Sequence, residues 1–100
     1  MIDALGIIET VGFAPAVQAA DAAVKSANVK LGNWIKVGGG RVCIVMRGEV
    51  AAVKAAVDAG VTAAKAIGNV AGSLVIPRPS DKLTPQFPLE PLGSGKKGGK

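Results

Sequence analysis

Residues 29–47, V-K-L-G-N-W-I-K-V-G-G-G-R-V-C-I-V-M-R, place two β-rich runs on either side of three consecutive glycines. In the first run Val29, Leu31, Ile35 and Val37 share one parity, broken only by Asn33, and Lys30, Gly32, Trp34 and Lys36 share the other. In the second run Val42, Ile44 and Met46 share a face. Alternation with a period of two marks half-buried strands. A short glycine run joining two such strands reads as an antiparallel hairpin. The segment therefore predicts strands over 29–37 and 41–47.

On the N-terminal side, Ala4 to Thr10 predicts another strand, with Leu5 and Ile7 opposite Ala4, Gly6 and Ile8. Gly12 and Pro15 open a helix, since the first-turn N–H groups have no intrahelical partner for a proline to remove. Ala16, Ala20, Ala23, Val24 and Ala27 give it an apolar stripe, and Asn28 suits its end. On the C-terminal side, Gly48 caps a second helix that begins at Glu49. Val50, Val53, Val57, Val61, Ala64 and Ile67 form its stripe, and Gly68-Asn69 ends it. Val70 to Ile76 predicts a last strand, stopped by Pro77-Arg78-Pro79. The order strand, helix, strand, strand, helix, strand is the split βαββαβ arrangement. It implies an α+β fold with a four-stranded antiparallel sheet and both helices on one face. One domain over 1–80 is expected to be followed by a Pro-rich segment, 81–92, running over the surface. The low-complexity tail G-S-G-K-K-G-G-K, 93–100, is expected to be disordered.

Composition narrows the function. One hundred residues make one domain. The net charge is +5, but Lys96, Lys97 and Lys100 lie in the tail. The remainder carries nine basic against seven acidic groups, too balanced for a nucleic-acid face. With no His and one Cys, the chain lacks the residues for a His/Cys metal cluster, an internal disulfide or a His-based triad. Asp3, Asp21 and Asp58 are isolated carboxylates without a partner for acid–base work. Cys43 sits in an apolar strand with no cation to activate it, and is expected to be a buried structural thiol. Gly38-Gly39-Gly40 completes neither dinucleotide nor P-loop spacing and leads into a strand, not a helix. No catalytic residue, metal or cofactor is expected. No run approaches the length of a membrane span and no signal peptide is visible, so a cytoplasmic location is expected. The apolar fraction is 49%, aromatics are 3%, Ala occupies 17 positions, and mean hydropathy is +0.39. A chain with so much small apolar surface fits one that hides it against copies of itself.

The triple glycine has two readings. It is a flexible hairpin turn, or it is bare backbone left where copies of one loop crowd a symmetry axis. A tight turn needs one or two glycines, and three exceed that need. Lys36 and Arg41 flank the run, and around an axis they would form a positive ring that favours anions.

Six blocks, in order, carry a resemblance. These are A-L-G-I-I-E-T at 4–10, A-A-D-A-A-V-K-S-A-N-V at 19–29, K-V-G-G-G at 36–40, V-M-R-G-E-V at 45–50, V-K-A-A-V-D-A-G at 53–60 and V-I-P-R-P at 75–79. Over residues 3–80 the chain resembles the single-domain shell proteins of bacterial microcompartments, the BMC domain, with blocks closer to the catabolic metabolosome branch than to the carbon-fixing one. The resemblance implies a permuted ferredoxin-like fold. It implies cyclic homohexamers tiled into a shell around the enzymes of one pathway, with a pore on the six-fold axis for small metabolites. It implies that Gly38, Gly39 and Gly40 line that pore, with Gly39 at the narrowest point. Lys25, Asn28 and Arg78 would meet a neighbouring hexamer at the edge. Ser80 stands where the family pattern usually has His. Other shell proteins and encapsulated enzymes become partners, and nucleic acid and membrane do not. Two rival readings share the topology: an oligomeric small-molecule-binding regulator, and an RNA-binding module. The second lacks the paired strand aromatics that stack bases.

Overall fold

The computed structural model describes residues 3–92; the disorder expected for 93–100 lies outside the described residues. The elements run β1 (Ala4–Val11), α1 (Phe13–Ser26), β2 (Lys30–Leu31), β3 (Ile35–Gly38), β4 (Arg41–Gly48), α2 (Val50–Lys65) and β5 (Asn69–Ile76). All pairings are antiparallel. β1 lies between β4 and β5, and both β2 and β3 pair with the far side of β4. The sheet therefore has four lanes, with β2 and β3 sharing one. α1 and α2 cover one face, packed on each other; both touch β1 and β4, while α1 reaches out to β2 and α2 to β5.

The helix-side core joins Ala4 and Ile8 of β1 with Val42, Ile44 and Met46 of β4. Ala16, Ala19 and Ala23 of α1 and Val53, Ala56, Val57 and Ala64 of α2 complete it. Small side chains let the layers approach. At Gly60 a Cβ would come within 2.7 Å of Ile8 Cδ1 and 3.0 Å of the Ala19 carbonyl oxygen, so only glycine fits without displacement. Val50 and Ile67, expected in the α2 stripe, are instead exposed at or beyond its ends, and Val24 of α1 is exposed too.

Two expectations are corrected. The single strand over 29–37 is split. Leu31 pairs with Met46 and Ile35 with Cys43, so four steps on one side match three on the other. That extra residue reverses parity. Leu31 accordingly packs in the helix-side core, while Ile35 packs on the opposite face. The segment after Pro79 is also more than surface chain. Leu89, 6% exposed, packs with Leu5 and Val45 in a second core on the outer sheet face, supported by Ile7, Ile76 and Leu83. Burying such a leucine contributes roughly 1.5–3 kcal/mol. Gly32 pairs with Pro91, and the Leu92 N–H donates to the Leu31 carbonyl at 2.8 Å. This strap occupies the interruption between β2 and β3.

Candidate functional site

The three glycines form the β3–β4 hairpin. Gly39 and Gly40 have φ of 63° and 78°, the positive values that a two-residue primed turn requires. Gly38 has φ 93° and sits at a bulge, where pairing moves from Lys36↔Val42 to Gly38↔Arg41. All three positions thus have positive φ, two within the turn and the third at the adjoining bulge. All three are exposed, and a Cβ added at any of them meets nothing within 4 Å. The tip is bare backbone in open space.

The loop is anchored on one side. The Gly12 N–H donates to the Gly40 carbonyl at 2.7 Å, and the buried Thr10 hydroxyl donates to the Gly12 carbonyl at 2.9 Å. Gly40 O is therefore already engaged within the chain. Sequence reading passed over Thr10; the signal was a lone hydroxyl in an apolar strand beside a Gly corner.

Lys36 and Arg41 are both exposed, but they lie on opposite faces. Lys36 pairs with Val42 on the helix side, near Phe13 and Trp34. Arg41 shares the outer-face parity of Cys43 and Val45. The single positive ring inferred from their flanking positions is corrected to one cation per side.

Lys25, Asn28 and Arg78 occur at the opposite end of the sheet. Asn28 follows α1 and borders a cavity of about 300 Å³ with Asp3, Lys30, Arg47 and Gly48. Its carbonyl lies against Gly48, the β4 residue paired with Ala4. Arg78 is two residues beyond Ile76, which pairs with Leu5. Lys25, in the last turn of α1, forms an exposed ion pair with Asp21 at 2.9 Å. From Ala4 to Val11, β1 spans roughly 23 Å at ~3.3 Å per residue, which separates these residues from the glycine hairpin.

Arg47, also passed over in the sequence, ties the residues at the start of β1 and the segment after Pro79 to the sheet. Its Nε donates to the Ala4 carbonyl (3.2 Å), and its terminal nitrogens donate to the Leu89 (3.2 Å) and Asp3 (2.9 Å) carbonyls. Cys43 is half-buried rather than fully buried; burial, and secondarily the Glu9 carboxylate opposite it, push its thiol above the usual range. Among the described residues no cluster of three metal-ligating side chains occurs, and no helix is long and apolar enough to cross a membrane.

The BMC domain family profile matches residues 4–79. The chain is 51% identical over 87 residues to the bacterial microcompartment shell protein PduA of Salmonella typhimurium, covering 84% of this chain and 93% of that one. It is 48% identical over 88 residues to the bacterial microcompartment shell protein EutM of Escherichia coli, covering 88% and 91%. It is 44% identical over 88 residues to the carboxysome shell protein CcmK2 of Synechococcus elongatus, covering 86% of each. Among solved structures, a microcompartments protein from Desulfitobacterium hafniense superposes with a TM-score of 0.77 at 40% identity. That match covers 85% of this chain and spans about half, 48%, of the other. The chain belongs to the BMC domain family of bacterial microcompartment shell proteins.

Proposed function

We propose that this chain is a structural tile of a microcompartment shell in the cytoplasm. Six copies form a ring whose glycine hairpins line a central pore, and rings join edge to edge into a facet alongside other shell proteins, enclosing enzymes. The observation that carries this reading is the separation of the two candidate regions. A bare, exposed Gly38–Gly40 hairpin stands at one end of the sheet, and Lys25, Asn28 and Arg78 stand at the other. A ring with the hairpin inward turns the second set outward, where the next ring would meet it.

The chain measures 34 × 29 × 20 Å, thin along one direction as a tile must be. The opening would present backbone N–H and C=O groups, with Arg41 on the outer-face side and Lys36 on the helix side. Fixed cations at both mouths favour small polar or anionic metabolites. The tile performs no catalysis; its role is selective containment. The relatives' names as shell proteins support this, as does the balanced, His-free composition.

Negative-stain electron microscopy of purified protein tests the reading. Flat hexagonally ordered sheets or tubes are expected. A monodisperse monomer at high concentration would overturn it.

A further inference from the structure

The glycine hairpin has no side-chain packing at its tip, yet one of its carbonyls is held. A Cβ at Gly38, Gly39 or Gly40 would meet nothing within 4 Å, and all three φ are positive. Glycine has no side chain to confine it to such angles. The β1–β4 ladder ends at Val11↔Arg41. The Gly12 N–H carries it one step further, into the turn itself, by donating to the Gly40 carbonyl at 2.7 Å.

Gly12 is itself a weakly restrained residue. Its φ of 99° and ψ of 159° lie in a region that essentially only glycine occupies. It precedes α1 without any side-chain cap, and a Cβ there would touch only Pro15 Cδ, at 3.7 Å. What fixes it is Thr10. That side chain is fully buried, and its hydroxyl donates to the Gly12 carbonyl at 2.9 Å; the Val42 carbonyl is more distant, at 3.5 Å. The other helix-facing positions of β1 are Ala4, Gly6 and Ile8, so valine would satisfy the alternation. A buried hydroxyl costs desolvation unless it is bonded, which marks Thr10 as a residue kept for its bond. Thr10 also stands at the β1–β5 bulge, where pairing steps from Glu9↔Gly72 to Thr10↔Val70 and passes over Ala71. Bulges recur where a strand re-aims a neighbouring group.

We propose that Thr10 is a positioning residue for the pore lining. Its hydroxyl holds the carbonyl side of Gly12, the amide side of Gly12 holds Gly40, and Gly40 fixes how far the hairpin leans toward the ring axis. This rests on the ring reading above and names the buried group that sets the width of the opening. The group lies outside the lining and touches no permeating molecule.

Residue-resolved amide hydrogen exchange on the full chain tests the latch. The Gly12 amide should be protected in the native protein. In Thr10→Val it should exchange roughly three- to tenfold faster, the range for losing one hydrogen bond, and Thr10→Ser, which keeps the hydroxyl, should restore it. Each rate is taken relative to the Val45 and Met46 amides of β4, which a general loss of stability would speed equally. Conductance of rings in a planar bilayer bathed in potassium chloride then reads the opening. One level is expected for the native protein and Thr10→Ser, and several levels for Thr10→Val. An unprotected native Gly12 amide, or a Thr10→Ser variant that behaves like Thr10→Val, would overturn the role of the hydroxyl. A single native-like level from Thr10→Val rings would overturn the link to the opening. A native chain that forms no rings by light scattering would remove the pore reading and the positioning role with it, while the Thr10–Gly12–Gly40 latch would still show in exchange.

Discussion

Gly39 is held by conformation, not by space. Its φ of 63° is left-handed, and nothing within 4 Å would oppose a Cβ. Gly39→Ala therefore isolates backbone strain, with an expected loss of about 1–2 kcal/mol in denaturant unfolding. Cys43 gives a pH-dependent counterpart. Burial first, and Glu9 second, raise its thiol above the usual value in the fold. Its contribution to stability is therefore complete below the unfolded-state value and is lost as pH rises through the raised folded value. Unfolding of the native chain followed from neutral into alkaline pH should show this decline, and a Cys43→Ser variant should lack that component. Alkylation by iodoacetamide near pH 8 should also be slower than for an exposed thiol, because the thiolate is the nucleophile.

The outer-face strap pairs with the chain where β2 and β3 separate. Leu89 packs with Leu5 and Val45, Arg47 donates to the Leu89 carbonyl, and Gly32 admits the strap where a Cβ would lie 2.8 Å from the Glu90 oxygen. Leu89→Ala should cost ~2–5 kcal/mol by thermal or denaturant unfolding, in the range of a buried leucine that leaves a cavity. Its effect should exceed that of truncating exposed Leu92, which forms no part of that cluster.

Assembly and folding can be separated in the whole molecule. The Lys25–Asp21 pair is exposed and local, and such pairs stabilise a helix by only about 0.3–0.5 kcal/mol. Arg78 is likewise exposed, between two prolines. Lys25→Ala and Arg78→Ala should each leave hexamers intact by native mass spectrometry while abolishing extended sheets under the microscope. Normal tiling by both variants would show that the contacts between rings lie elsewhere.

The element order, the two helices on one face and the partition of β1 and β4 between faces were legible from alternation and helical spacing, because local periodicity reports burial directly. Ala4 and Ile8 face the helices, and Leu5 and Ile7 face the other way, as their parity requires. The glycine hairpin was legible for the same local reason. The split between β2 and β3, where Gly32 pairs with Pro91, and the burial of Leu89 beside Arg47 involve chain segments more than forty residues apart in sequence, whereas the opposite faces of Lys36 and Arg41 follow from the hairpin's own register. No short window of residues records such a pairing. A bulge moves every later side chain to the other face, and here it coincides with the place where the strap pairs with Gly32.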